Sequence, residues 1–140
     1  MEVKIAFFYG LFMDADLLRE KDLNPCQTRL AFVDGFGLRI GDRATLARSN
    51  QERSYGTIIQ LQHSELDQLY GVDGLRDYLP ESIEAFSIAD NQSIPATTYL
   101  LPVEKLSGTN HAYATSLATI ARKLGIPEDY VKEIEDWGNA

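Results

Sequence analysis

The sequence predicts an α+β fold, and three observations carry that prediction. Short apolar runs of strand type fill the first hundred residues. A helical period takes over near the C-terminus, where Tyr113, Leu117, Ile120, Ala121 and Leu124 share one face. Gly35 and Gly37 interrupt a long strand-like run, as a bulge or a tight barrel corner would. Strands followed by helices, rather than a regular alternation of the two, is the α+β pattern. A strand set with glycine corners is compatible with a small barrel whose mouth holds a ligand.

The elements follow in order. Residues 3–10 form a buried strand rich in aromatics. Asp14 caps a short helix that reaches about Asp22, with Leu17 and Leu18 facing inward, before Asn24-Pro25 breaks it. Residues 29–41 make a long strand or a bent pair, and residues 43–49 another strand, ended by a polar turn at Asn50–Arg53. Residues 55–62 are a strand, and Ser64 with Asp67 three positions on resembles a capping box for a short helix that stops at Gly71. Residues 72–80 are a loop, and 81–90 and 96–104 pair as strands around Asn91–Ser93. Gly125 ends the long C-terminal helix and Pro127 starts another, with Tyr130, Ile134 and Trp137 as its apolar strip.

Composition narrows the function classes. The chain has 140 residues, of which 44% are hydrophobic, so one domain spanning 1–140 with a real core is expected. Thirteen basic against twenty-one acidic residues give a net charge of −8, which argues against nucleic acid and anionic membranes as partners. No run approaches the roughly 20 apolar residues of a membrane span. The stretch MEVKIAFFYG lacks a basic leader region and a small-residue cleavage site, so no signal peptide is expected. The single cysteine, Cys26, allows no internal disulfide, and His63 and His111 stand without ligand spacing, so no metal is expected. A cytoplasmic location is the simplest expectation.

The segment Tyr9-Gly10-Leu11-Phe12 carries the first chemical suggestion. It joins a strand to a helix, where main-chain N–H groups lack partners and favour an anion such as a small carboxylate. An ordinary turn in which Gly10 supplies a backbone angle is the reading these residues by themselves favour. One glycine and no lysine exclude a Walker-type phosphate loop. Arg39 and Arg43 flank Gly41, and either could meet a carboxylate in bidentate fashion or point to solvent.

An ordered series of motifs resembles the gamma-glutamylcyclotransferase-like (AIG2-like) proteins. Tyr9-Gly10-Leu11-Phe12-Met13 is similar to their Tyr-Gly-Ser-Leu-Met loop. Residues 33–39 and 55–58 resemble two of their glycine-containing strands, and 66–71 resembles their Leu-Asp-x-x-Glu-Gly segment. Tyr78 and Tyr99 follow at matching places. The resemblance implies a small mixed β-barrel with flanking helices and one cavity, with no cofactor. It implies a reaction in which the α-amine of a gamma-glutamyl group attacks its own γ-carbonyl, giving 5-oxoproline and a released amine. It also implies that the Tyr-Gly loop grips substrate through its amides, with Arg43, Tyr78 and Tyr99 further candidates for binding.

The sequence departs from the family where the catalytic glutamate belongs, because Tyr70 stands there. A phenol with a pKa near 10 is a poor base at neutral pH. General acid–base catalysis is worth about 10²–10⁴ in rate, or roughly 3–5 kcal/mol. Tyr70 is open to two readings, a hydrogen-bond donor to ligand or a ring that plugs the cavity. Asp77 and Glu81 are the candidates to supply the missing carboxyl group, if they point inward rather than to solvent. Three function classes follow: a cyclising enzyme with Tyr70, Glu81 or Asp77 in its catalytic machinery; a carboxylate-binding protein of the same fold; and a homodimer built on the strip around Tyr130 and Trp137.

Overall fold

The computed structural model describes residues 3–138. Met1 and Glu2, the start of the stretch read above for a leader, lie outside them, as do Asn139 and Ala140. Five strands, β1 (Val3–Phe8), β2 (Cys26–Ile40), β3 (Ala44–Gln62), β4 (Leu79–Ser87) and β5 (Ser93–Leu100), close a barrel in the order β1-β3-β2-β4-β5. All neighbours are antiparallel except β1 and β5, which run parallel and meet at Ala6 and Thr97. Four helices flank it: α1 (Ala15–Glu20), α2 (His63–Tyr70), α3 (His111–Leu124) and α4 (Glu128–Gly138). The small mixed barrel with flanking helices is therefore the fold of this chain.

The β2–β3 hairpin is the backbone of the barrel. Its tip is the Gly41-Asp42-Arg43 turn, closed by Gly41 N–H donating to Arg43 O at 2.8 Å. The polar turn expected at Asn50–Arg53 is instead a wide bulge inside one continuous β3. Asp34 pairs with Arg53, but the next paired residue, Phe36, faces Arg48. Gly35 sits at that break with φ +86°, a left-handed conformation that favours glycine. Arg39 and Glu52 bridge the bulge at 2.7 Å, so the Arg39 guanidinium is paired on the partly exposed face of the hairpin.

Helix α2 starts earlier than the Ser64 cap predicts. Gln62 ends the β1–β3 ladder opposite Val3, and its own N–H donates to Glu65 Oε1 at 2.9 Å, so the capping box is Gln62 with Glu65. Strand β4 likewise begins at Leu79, inside the expected loop. Asp14 caps α1 as expected, accepting from Asp16 N–H at 3.0 Å, and also accepts from Lys123 Nζ of α3 at 2.8 Å.

Helix α3 opens on Asn110, whose Oδ1 accepts from Tyr113 N–H at 2.9 Å, and closes on Gly125 at φ +89°. Leu117, Ala121, Val131 and Ile134 are fully buried, and the Tyr130 ring packs edge-on against Tyr55 at 5.1 Å. Of the strip named above, Tyr130 and Ile134 are thus buried within this chain, and Trp137 is 37% exposed. Buried hydroxyls tie the layers together. Thr98 donates to Phe7 O at 2.9 Å across the parallel seam, and Thr57 donates to Met13 O at 2.8 Å. No helix among the described residues is long and apolar enough to cross a membrane.

Candidate functional site

Strand β1 runs out at Phe8, and a 3₁₀ turn, Leu11–Met13, follows Tyr9 and Gly10. Met13 N–H donates to Gly10 O at 3.0 Å and Asp14 N–H to Leu11 O at 3.2 Å, so the N–H groups of Leu11 and Phe12 have no acceptor inside the turn. The Thr57 bond to Met13 O pins the turn to the barrel. Beside it lies a cavity of about 220 Å³. Phe8 through Phe12 form one wall, and Arg43 and Ala44 bring the tip of the long hairpin to another. Tyr70 at the end of α2, Leu75 and Tyr78 from the following loop, and Tyr113 from the first turn of α3 complete it. Five separate segments therefore meet at one end of the barrel.

The tyrosine hydroxyls are not equivalent. Tyr9 donates to Tyr99 O at 2.6 Å and Tyr78 donates to Ala44 O at 2.5 Å. The Tyr113 hydroxyl lies so close to Gly10 that a β-carbon there would stand 2.7 Å from it. Tyr70 has no hydrogen-bond partner for its hydroxyl among the described residues. Its ring is fixed all the same, stacked on Tyr99 at 3.9 Å and met edge-on by Phe12 at 6.3 Å. The ring lines the cavity, with Tyr99 behind it.

Burial sets the protonation of these groups. It pushes Tyr9, Tyr70 and Tyr113 well above the usual phenol value and Tyr78 up to about 12, so all four are neutral O–H groups at neutral pH. Arg43 supplies the one formal charge on the lining. Its Nη1 donates to Gly74 O at 2.7 Å, while its buried Nε has no hydrogen bond and faces Asp42 Oδ2 at 3.6 Å.

The sequence profile of the AIG2-like family matches residues 53–134. The chain belongs to the AIG2-like family. No curated protein matches it in sequence. Among solved structures it is similar to a gamma-glutamyl cyclotransferase at 16% identity and a TM-score of 0.78, with 96% of this chain and 87% of that one covered. It is similar to the uncharacterized human protein loc79017 at 18% identity and a TM-score of 0.76, over 96% of this chain and 88% of that one. A yeast gamma-glutamyl cyclotransferase specific to glutathione is 12% identical with a TM-score of 0.72, over 99% and 96%. At these identities the likeness is one of fold.

In this AIG2-like chain the cavity brings together seven of the residues singled out from sequence: Tyr9, Gly10, Leu11, Phe12, Arg43, Tyr70 and Tyr78. Tyr99 stands behind the wall, backing Tyr70 with its ring and holding Tyr9 with its carbonyl. Asp77 and Glu81 are not brought to it. Asp77 pairs with Lys105 at 3.3 Å and is half exposed, because the side chain that turns inward there is its neighbour, Tyr78. Glu81 pairs with Arg48 and lines shallow grooves elsewhere on the surface. No carboxylate is among the lining residues. Tyr113 joins the site without having been singled out. Its only sequence signal was a place on an apolar helix face, which reads as core.

Proposed function

We propose that this AIG2-like protein binds a small carboxylate in the tyrosine-lined cavity and does not cyclise a gamma-glutamyl group. The observation that carries this reading is the side chain at the family's glutamate position. Tyr70 presents a protonated phenol to the cavity, and neither Asp77 nor Glu81 reaches it. Cyclisation requires a base to take the ammonium proton and an acid for the leaving nitrogen. A phenol pushed upward by burial serves poorly as either at neutral pH. What the cavity offers is donors: the Tyr70 and Tyr113 hydroxyls and the Arg43 guanidinium. Charge-assisted bonds from such donors hold a carboxylate well, and the surrounding rings suit an apolar remainder.

The catalytic reading has one observation in its favour. Donors grouped beside the Leu11–Met13 turn are also what a developing oxyanion needs. An assay of 5-oxoproline release from gamma-glutamyl amines separates the two. The native chain is expected to release none above background, and Tyr70→Glu to gain release by restoring the carboxyl group. Turnover by the native chain would overturn the binding reading.

A further inference from the structure

We infer that the cavity selects acids that carry no α-ammonium group, a step that rests on the carboxylate-binding reading. The reason lies in its balance of donors and acceptors. Tyr70 O–H is uncommitted. The Tyr113 hydroxyl stands beside Gly10, and Arg43, the charged residue of the lining, turns its Nε toward Asp42 Oδ2 at 3.6 Å. The polar groups that the lining presents are thus hydroxyls and a cation, with no carboxylate among them.

No carboxylate lines the cavity to pair with an ammonium, and four main-chain carbonyls around it already accept one hydrogen bond each. Gly10 O and Leu11 O accept from Met13 and Asp14, Ala44 O accepts from Tyr78, and Tyr99 O accepts from Tyr9. Asp42, beside Arg43 in the chain, faces it at 3.6 Å and accepts from Ser107 N–H at 3.4 Å. Ring faces are the other means of holding an ammonium, and here several are already in use. Lys21 Nζ stands 5.8 Å over Phe12, the Arg43 guanidinium lies 5.9 Å over Tyr78, and Tyr99 covers one face of Tyr70. An ammonium in this space would meet the Arg43 guanidinium and find no carboxylate on the lining. A carboxylate meets the same charge as a partner.

Isothermal titration of the full chain with two compounds tests this. L-glutamine and glutaric acid monoamide differ only in the α-ammonium. The monoamide is expected to bind at least about tenfold more tightly, a difference of roughly 1.4 kcal/mol. Tyr70→Glu, with its near-UV circular dichroism unchanged, is expected to swing that ratio toward glutamine by giving the ammonium a partner. Glutamine binding as tightly as the monoamide, or a ratio that Tyr70→Glu leaves unmoved, overturns the inference while the carboxylate reading stands. Binding of neither compound overturns both.

Discussion

Tyr113 is the residue on which the polar end of the cavity turns. Its hydroxyl lies against Gly10, so a helix more than a hundred positions down the chain completes the Tyr-Gly loop. The side chain therefore brings a hydroxyl to the cavity beside that loop. Tyr113→Phe keeps the ring and removes the hydroxyl. Carboxylate affinity is expected to fall about tenfold, the worth of one hydrogen bond to a charged group. Titration calorimetry reads the loss, and an unchanged thermal midpoint identifies it as local. Gly10 matters here for space, since any β-carbon would drive the Tyr113 hydroxyl from its place.

Helix caps and strand ends decide how the elements meet the site. Asp14 does two jobs at once: it caps α1 through Asp16 N–H, and it receives Lys123 from α3. The carboxylate is 5% exposed, so losing it leaves an unmet helix end inside the structure. Asp14→Ala is expected to cost about 1–2 kcal/mol of stability, measurable by urea denaturation. It is also expected to weaken ligand binding, because the Leu11–Met13 turn runs directly into that cap. Elsewhere the ends of elements moved from their local signals. Ser64 and Asp67 have the spelling of a capping box, but the β1–β3 ladder ends at Gln62 and the helix begins there.

At the scale of the whole molecule, buried phenols gather around the cavity, and a further one, Tyr130 of α4, packs against Tyr55. Burial raises Tyr9, Tyr70, Tyr113 and Tyr130 far above the usual value of 10, and Tyr78 to about 12. A raised folded-state pKa means that the unfolded chain loses these protons first. The stability from these phenols is thus intact below about pH 10 and falls as pH rises toward 12. Thermal midpoints across this range are expected to drop steeply. Absorbance at 295 nm is expected to show most phenol ionisation coinciding with unfolding. Full ionisation of a still-folded chain near pH 10 would contradict the buried cluster.

The order of strands and helices, the Gly35 break, the Asp14 cap and the Tyr-Gly loop were all legible in the sequence. Each depends on local preference: period, backbone angle or a side chain reaching its own main chain. The absence of glutamate at residue 70 was equally plain. Only the tertiary structure decided which acids the cavity would exclude and which tyrosines it would gather. Asp77 and Tyr78 are adjacent in the chain, yet one meets Lys105 at the surface and the other reaches Ala44 inside. Tyr113 reaches Gly10 only because barrel closure brings the first strand and the third helix to the same end. Such contacts join residues far apart in the chain, and no local preference encodes them.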